Sequence, residues 1–547
     1  MKSLLLVSAL LLAQPAPHEH EAHGEKLGNV AFQTSCSPAA QPIFLRGVAW
    51  LHSFEYEQAE SSFNQAAAAD PSCAMAHWGA AMSLYHPLWA PPSPAELERG
   101  RAAVAKAQAV PSKTEREKDY VEAIASFYRD SGKLDHKTRA LAYNAAMKAV
   151  HGRYPDDREA AIFYALSQTA AGTLDSDPTF AREKDAAAIL GAVLEAEPDH
   201  PGVAHYLIHS FDYPPLAALA VPAAKRYAGI APDSAHAQHM PSHIFTRLGM
   251  WDESIASNLK SEAAARELMR RKNFNGASRE ELHAMDYLAY AYLQTGQDSK
   301  AQQVLAKLNA MQTVDEPIFS VAYAATAIPA RLALERRQWK EAANLDVRDN
   351  VGRLAPLENF QWAAAHVHFA RAVGAARSGN PAAAKLEVEK LGAIEQKLQV
   401  PPGTYDWKAQ VGIGRQIASA WLAQAEGRND DAVRIMRGAA DLDDALEKHP
   451  VTPGAILPAR EQLGELLLEL GRPAEALPEF EASLKRAPLR LGGIYGAARA
   501  AKLSANAAKA RIYYAQLAEL TKNGEASRAA IKEARSVAAA FHPPPLR

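Results

Sequence analysis

The chain has 547 residues, of which 48% are hydrophobic and 22% are charged, and its formal net charge is −2. A chain of this length exceeds one ordinary globular core, so it forms either several domains or an extended repeat array. A net charge this close to zero gives no sign of the basic surface that is typical of nucleic-acid-binding proteins. Alanine is abundant and β-branched runs are scarce, which favours an ordered helical protein.

The first 17 residues have the pattern of an export signal. Lys2 precedes an apolar run from Leu4 to Ala13, and Pro15 follows it. The run is too short to anchor the chain in a bilayer, and no later stretch of the sequence reaches a transmembrane length. We therefore expect cleavage near residue 17, no membrane span, and a mature protein that is periplasmic or secreted.

Residues 18–42 are predicted to form a flexible N-terminal arm. The arm contains His18, His20 and His23, a short cluster of a kind that can bind Cu²⁺, Ni²⁺ or Zn²⁺ weakly. A disordered terminus without metal is the alternative interpretation.

The two cysteines, Cys36 and Cys73, flank the first predicted helical hairpin. The two ends of a hairpin can come close, so we predict a disulfide between them, as an oxidising compartment permits. Two buried thiols are one alternative. A metal site shared with nearby histidines is the other, although the Cys-x-x-Cys spacing typical of zinc sites is missing.

The segment from Ile43 to Pro71 has the pattern of a helix–turn–helix repeat. Small residues occur where two helices would approach closely, aromatic residues occur where the next hairpin would pack, and a proline ends the second helix. The residues of this pattern are Gly47, Trp50, Tyr56, Ala59, Phe63, Ala66 and Pro71. A second clear set comprises Leu463, Gly464, Ala476, Phe480 and Pro488.

These segments resemble the tetratricopeptide repeat (TPR), which has a period of about 34 residues, and the whole chain resembles exported bacterial TPR proteins of unassigned role. The resemblance implies an all-α fold, a right-handed solenoid of helical hairpins whose concave face binds a protein or peptide. We divide the chain into an N-terminal TPR-like region (43–182), a histidine-lined region (183–300) and a C-terminal region (301–541). Turns between paired helices are predicted at Gly249, Gly296, Arg337, Gly379, Gly427 and Gly471.

Four histidines recur in phase with this period. His205 and His239 are 34 residues apart, and so are His209 and His243. Residues i and i+4 share one face of a helix, and two such pairs on helices packed about 8–10 Å apart can converge on one ion. We therefore predict that these four histidines bind one metal ion. Imidazole ligands suit Zn²⁺ or Cu²⁺, or Fe²⁺ if a carboxylate joins them.

The resemblance also implies which other side chains face the same groove. Aspartate can hold the second imidazole nitrogen in the required tautomer, and other polar groups can contact a ligand or act as acids and bases. The further ligands, supporting groups and ligand-binding residues predicted in this way are His236, His283, Asp212, Asp286, Tyr290 and Arg247.

The remaining histidines receive structural or surface predictions. His52 and His86 occupy positions that could face the same channel, but a structural role is the preferred interpretation for both. A surface position is expected for His366. Turn or surface positions are expected for His136, His151, His200, His449 and His542.

Three functions remain open at this point. The protein could bind or scaffold a partner on its concave face, act as a metal-dependent enzyme, or carry and buffer metal delivered by the arm. Histidines that contact only a peptide, or that are purely structural, are the alternatives to a metal site. The sequence lacks a glycine-rich phosphate loop, a Gly-x-Ser-x-Gly elbow and a His-Glu-x-x-His motif, so those enzyme classes are not indicated.

Overall fold

The computed structural model describes residues 25–88, 90–175, 177–347 and 352–541. Within these ranges the regular structure is helical, apart from one isolated bridge between Ala277 and Val314. None of the described helices is both long and apolar enough to cross a membrane. The predicted export signal and the histidines at 18–23 lie outside the described residues.

The helices that precede and include the histidine-lined region are short to medium in length. They are α1 (Gln41–His52), α2 (Tyr56–Ala69), α3 (Ala74–Ser83), α4 (Pro94–Ala109), α5 (Glu115–Tyr128), α6 (His136–Arg153), α7 (Arg158–Asp175), α8 (Ala181–Ala196), α9 (Pro201–Phe211), a 3₁₀ turn (Ala217–Ala220), α10 (Val221–Ile230), α11 (Ala235–His239), α12 (Pro241–Arg247), α13 (Trp251–Arg271) and α14 (Arg279–Gln294).

The helices of the C-terminal region follow the same alternation. They are α15 (Asp298–Ala310), α16 (Phe319–Glu335), α17 (Trp339–Ala343), α18 (Gln361–Arg377), α19 (Pro381–Lys397), α20 (Trp407–Ala425), α21 (Asn429–Ala445), α22 (Ala459–Glu469), α23 (Pro473–Arg486), α24 (Leu491–Leu503), α25 (Ala507–Leu520) and α26 (Ala529–Phe541).

Local sequence sets where many of these helices begin and end. Ser93 and Glu96 form a reciprocal capping box at the start of α4, which satisfies backbone N–H groups that the helix leaves unpaired. The six predicted turns each contain a residue with positive φ, five of them glycines. At Gly296, for example, φ is +70°, a backbone conformation in which a side chain would be strained.

The helices pack in two layers. Consecutive helices contact one another along the chain, and α14, α16, α18, α20, α22 and α24 each also contact the next helix of that series. Alternate helices therefore line the inside while their partners lie outside, which confirms the predicted all-α, TPR-like solenoid. Two large hydrophobic cores follow one another, the first from Leu27 to Phe245 and the second from Ala277 to Ala534.

The solenoid coils tightly enough for separate parts of it to touch. The guanidinium of Arg490 donates to the hydroxyl of Tyr290, 200 residues earlier, at 2.7 Å. A Cβ on Gly249 would lie 2.6 Å from the carbonyl oxygen of Pro488, so only glycine permits this approach. The concave face that the sequence led us to expect as a groove is therefore closed here, and its polar residues are buried.

The segment that precedes α1 is irregular but packed. Phe32 is fully buried, and the backbone N–H of Asn29 donates to the carbonyl of Asp199 at 3.0 Å. Cys36 and Cys73 form a disulfide with a Cα–Cα distance of 4.7 Å. The prediction of a flexible arm is therefore wrong for residues 25–40, because this segment supplies an aromatic side chain to the first core; residues 18–24 lie outside the described ranges.

The closure of the coil depends on a buried cation, which gives a first prediction. Arg490 is 0% exposed and pairs with Glu335 at 2.7 Å and Glu461 at 3.0 Å. Arg490→Met leaves both carboxylates buried without their cation, so we expect the free energy of unfolding to fall by about 3–5 kcal/mol in urea titrations.

Arg472→Met is the matched control for this variant. Arg472 makes a solvent-exposed i,i+3 pair with Glu475, and such pairs contribute roughly 0–1 kcal/mol. Equal stability losses in the two variants would contradict the importance of the buried cation.

Candidate metal centre

Three inner segments carry six histidines into the closed interior. Helix α9 begins at Pro201, which places His205 and His209 one turn apart on the same face. Pro241 separates α11 from α12, but Met240 keeps helical angles (φ −51°, ψ −38°), so His239 and His243 are also one turn apart. The remaining two, His236 and His283, lie on α11 and α14.

The six imidazoles form two adjacent triads. The first triad is His205, His209 and His236, and the second is His239, His243 and His283. Within each triad, one ring nitrogen from every histidine lies within 4.8 Å of the others. The two triads are neighbours, since the ring centroids of His209 and His243 are 6.3 Å apart.

This grouping differs from the predicted site of four histidines. Each i,i+4 pair remains together, as expected, but the two pairs belong to different triads. Each pair meets one further histidine on the next inner segment: His236 in the first triad and His283 in the second. The predicted quartet assumed that the two pairs would share one ion, whereas each pair groups with a histidine of the following segment.

Oxygen atoms outside the triads fix the orientation of three of the rings. The Nδ1–H of His205 donates to the backbone carbonyl of His52 at 2.6 Å. The Nδ1–H of His239 donates to Oδ1 of Asn258 at 2.6 Å, and that of His243 donates to Asp212 at 3.0 Å. A carbonyl or carboxylate oxygen only accepts hydrogen bonds, so each of these rings carries its proton on Nδ1.

As a consequence, two ring nitrogens with lone pairs face each other in the second triad, and Nε2 of His205 presents a lone pair to the other imidazoles of the first triad. Nε2 of His239 lies 3.0 Å from Nε2 of His243. Nε2 of His205 lies 3.1 Å from Nε2 of His209 and 3.2 Å from Nε2 of His236. Two unprotonated nitrogens at this distance repel each other unless a proton or a metal ion lies between them.

Protonation is disfavoured at these rings. Burial lowers the pKa of His205, His209 and His239 well below 6.5, and the neighbouring imidazoles lower it further. Burial likewise lowers the pKa of His283 to about 3 and that of His243 to about 4, although Asp212 opposes the shift at His243. The imidazoles are therefore neutral near pH 7, the form in which histidine binds metals.

Aromatic rings surround the triads. Phe54 contacts His205 with a centroid distance of 4.4 Å, and Tyr287 contacts His239 at 4.7 Å and His243 at 5.2 Å. The hydroxyl of Tyr287 is buried and makes no hydrogen bond to a described residue. A buried hydroxyl without a partner is costly, and a polar ligand bound beside Tyr287 would offset that cost.

Asp212 links the second triad to two cations. Besides accepting from His243, its carboxylate accepts from Arg247 at 2.8 Å and from Lys448 at 3.4 Å. Burial raises the pKa of Asp212, but Lys448, Arg247 and His243 outweigh this effect and hold the pKa well below its ordinary value. Asp212 is therefore an anion that orients His243, which is the supporting role predicted from the sequence.

Two other predicted site residues lie elsewhere. Asp286 is fully buried and pairs with Arg331 at 2.6 Å, and Tyr290 accepts from Arg490. Neither contacts a histidine of the triads in the described structure. The closed coil brings arginines from later helices, Arg331 on α16 and Arg490 just before α24, against the face of α14 beyond His283. Tyr290 also lines a cavity beside Arg247.

A third buried cluster contains residues that the sequence did not single out together. Glu159 lies between two imidazoles, 3.0 Å from Nε2 of His52 and 3.0 Å from Nε2 of His200. His200, expected in a turn or at the surface, is fully buried. Since the carbonyl of His52 accepts from His205, this cluster positions the first triad. The structural role preferred for His52 stays a prediction, since His52, Glu159 and His200 also bring three possible metal-ligand atoms within 4.8 Å of one another.

Two further histidines line a cavity that begins beside Arg247. His366 was expected at the surface and His449 in a turn or at the surface. His449 does lie in a loop, but both histidines line this cavity together with Arg247 and Lys448. His449 stacks on Trp407 with a centroid distance of 5.2 Å. These corrections have the same origin, because the loop after α21 folds back over the inner helices.

Sequence reasoning missed several supporting residues. Glu280 precedes His283 by three residues on α14, a helical spacing that could have revealed it, and its carboxylate lies 3.6 Å from Nδ1 of His236. Glu159 and Asn258 have no helical spacing that relates them to the histidines. Their contacts arise between helices that are distant in the chain or lie in the outer layer. A pattern of residues along one helix therefore contains no signal for them.

Comparisons with known proteins identify helical-repeat structures alone. No family model matches the chain, and no curated protein matches it. A TPR protein from Parabacteroides merdae is 12% identical, covers 55% of this chain and 98% of its own, with a TM-score of 0.30. A human IFIT1 dimer with m7Gppp-AAAA is 13% identical over 82% of this chain and 90% of its own, with a TM-score of 0.36.

The TPR domain of P58(IPK) is also similar, at 15% identity over 71% of this chain and 100% of its own, with a TM-score of 0.20. At such TM-scores we transfer neither a ligand nor a partner from these proteins. The solenoid is established by the packing of its own helices.

The neutral histidines predict an acid-sensitive fold. Because the folded-state pKa of His283 is about 3 and the unfolded value is about 6.5, the unfolded chain binds more protons between these values. The contribution of neutral His283 to the free energy of unfolding is complete above pH 6.5 and is lost as the pH falls. In metal-free protein, His283→Asn should reduce the slope of unfolding free energy against pH by about 1.4 kcal/mol per pH unit between pH 6 and 4.

Urea titrations at several pH values measure this slope. The variant His77→Asn, at a half-buried position on α3 away from both triads, serves as a control with a smaller expected change. Identical slopes in the wild type and His283→Asn would contradict a neutral, buried His283.

Proposed function

We propose that this protein is a metal-dependent enzyme that holds two transition-metal ions side by side, one in each histidine triad. The observation that carries this proposal is the orientation of the rings. Three histidines donate their Nδ1–H groups outward to fixed oxygens, while the Nε2 atoms of His239 and His243 converge at 3.0 Å. A ligating histidine with its second nitrogen held by an oxygen is the common arrangement at metal sites.

A structural role for the histidines explains this arrangement less well. If the rings served only to hold the helices together, each Nε2 would be expected to meet a hydrogen-bond donor. Instead, the unprotonated Nε2 atoms of His239 and His243 meet each other at 3.0 Å. The lowered pKa values of these two histidines resist the extra proton that would relieve this repulsion, so a metal ion is the better neutral-pH occupant.

Copper is the metal that the donor set favours. All six ligand groups are imidazoles, which suit copper, zinc, nickel and iron, and copper(II) binds most tightly of the divalent first-row ions at a given nitrogen site. The carboxylates Asp212 and Glu280 lie on the outer nitrogens, not among the converging ones, so the carboxylate ligand that would favour iron is missing from the inner shell.

The number of protein ligands favours an enzyme over storage. Three ligands per ion leave a coordination position open, as in catalytic sites, whereas structural sites are usually closed by four. When bound, a pair of copper ions supplies two one-electron redox equivalents to a single small molecule such as dioxygen. A carrier or buffer with the same ligands remains the competing function, and turnover of a reducing substrate would distinguish the two.

The chain itself contributes orientation, burial and charge. Asp212 and Asn258 hold the rings of His243 and His239, and the carbonyl of His52 holds His205. Phe54 and Tyr287 exclude bulk water from the rings, which strengthens electrostatic interactions inside the site. The hydroxyl of Tyr287 can donate a hydrogen bond to a small ligand, because no described residue accepts from it.

Export to an oxidising compartment belongs to the same proposal. The apolar run after Lys2 supports it, and so does the disulfide between Cys36 and Cys73, since disulfides persist mainly outside the reducing cytosol.

The helical-repeat fold also suits binding of a protein or other ligand. A protein or peptide partner would need a surface other than the histidine-lined face, whose rings are almost fully buried.

Elemental analysis of untagged, exported protein tests the number and the identity of the ions. We expect two copper ions per chain in the wild type and close to one in His209→Gln or His239→Gln, because each removes a ligand from one triad alone. His366→Gln, outside both triads, should retain two. The proposal would be wrong if both triad variants retained two ions, or if the wild type contained no metal after growth with added copper. Two zinc ions per chain would support the two sites but would contradict the redox chemistry.

Electron paramagnetic resonance tests whether the two ions are neighbours. Two copper(II) ions close enough to couple magnetically give a signal far weaker than their analytical concentration. We therefore expect a weak signal in the fully loaded wild type and a full single-copper signal in His209→Gln. A wild-type signal equal to two isolated copper(II) ions would place the ions too far apart to act together.

A further inference from the structure

A cavity of about 150 Å³ lies between the second triad and the C-terminal region. Its walls come from the inner helices α16, α18 and α20, and from the loop that follows α21. An engineered cavity of about this size, lined by apolar side chains, accommodates benzene in another protein. The volume therefore suits one aromatic ring with a small substituent.

One wall of the cavity is a stack of flat side chains. Trp362 and Trp407 are parallel, with centroids 3.8 Å apart and an interplanar angle of 7°. His449 covers the other face of Trp407 at an angle of 20°, and Tyr405 meets Trp407 edge-on at 4.8 Å. Because both faces of Trp407 are covered, the cavity is met by the edges of this stack, which favour an edge-to-face aromatic ring over a bulky aliphatic group.

The other end of the cavity presents hydrogen-bond donors. Lys448 uses two of its three N–H groups, toward Asp212 and the carbonyl of Pro450. Arg247 bonds through Nε and one terminal nitrogen, and its other terminal nitrogen has no hydrogen bond to a described residue. Both cations are held in place, yet each retains unused donors.

His449 adds a neutral donor to the same end. Its Nδ1 accepts from the backbone N–H of Val451 at 3.2 Å, so the ring proton is on Nε2. Burial and the neighbouring Lys448 lower the pKa of His449 to about 3, which keeps this tautomer neutral. Three donors and a flat aromatic wall therefore line one small cavity.

We propose that this cavity binds a small aromatic carboxylate, with the ring against Trp407 and Tyr405 and the carboxylate toward Lys448 and Arg247. An anion at this end gains charge-assisted hydrogen bonds. The site does not depend on metal in the triads, although Asp212, which accepts from both Arg247 and His243, lies between the two. The ligand class is therefore testable in metal-free protein.

Calorimetric titration of the full chain with benzoate tests the inference. We expect saturable binding of one benzoate per chain, with a change in tryptophan fluorescence, because two tryptophans form the wall. Cyclohexanecarboxylate lacks the flat ring and benzyl alcohol lacks the anion, so each should bind at least about tenfold more weakly, the scale of one lost specific contact. Equal affinity for any of these analogues, or no benzoate binding, would overturn the proposal.

Two variants assign the ends of the site. Lys448→Gln should weaken benzoate binding by about tenfold or more while benzyl alcohol is unaffected, and Trp407→Leu should remove the preference for benzoate over cyclohexanecarboxylate. Lys340→Gln, at an exposed lysine on α17, is the matched control and should bind as the wild type does. Unchanged benzoate affinity in a folded Lys448→Gln protein would show that the carboxylate binds elsewhere. If that variant does not fold, the preference of the wild type for benzoate over cyclohexanecarboxylate and benzyl alcohol tests the proposal instead.

Discussion

The centre of this structure depends on hydrogen bonds that point away from it. Because Nδ1 of His205, His239 and His243 donates to a carbonyl, an amide oxygen and a carboxylate, the opposite nitrogen of each ring must present a lone pair to its neighbours. That requirement makes the Nε2 atoms of His239 and His243 unprotonated neighbours at 3.0 Å and turns the lone pair of His205 toward His209 and His236. Without those outer oxygens the same rings could rotate, exchange tautomers and satisfy one another as ordinary hydrogen-bonded histidines.

Coiling of the solenoid creates the environment in which this arrangement matters. The inner helices of different parts of the chain meet, so the concave side is an interior rather than a groove, and Arg490 and Arg331 balance the carboxylates that this closure buries. Burial keeps the imidazoles neutral at pH 7 and strengthens their interaction with a cation. The histidine helices lie where the first hydrophobic core gives way to the second along the chain.

Asp212 joins the histidine triads, the proposed metal centre, to the aromatic cavity. One side of its carboxylate holds His243, and the other side holds Arg247, which lines the cavity. A carboxylate ligand near Arg247 and Lys448 would therefore compete with Asp212 for positive charge and alter the electron density at a triad ligand. The two proposals are independent in their tests, but this shared aspartate provides a physical route by which an occupied cavity could influence the metal centre.

The amino-acid pattern by itself determined the helical hairpins, the six turns with positive φ and the i,i+4 histidine pairs, because all of these follow from spacing along one helix or one turn. Tertiary structure alone decided that the pairs would join His236 and His283 rather than each other, and that Asp286 and Tyr290 would face arginines from later helices. Tertiary structure also decided that Glu159 and Asn258 would lie beside the histidines. A repeat specifies how neighbouring helices pack, but the pitch of the coil depends on small rotations summed over many hairpins, and that sum sets which distant side chains meet.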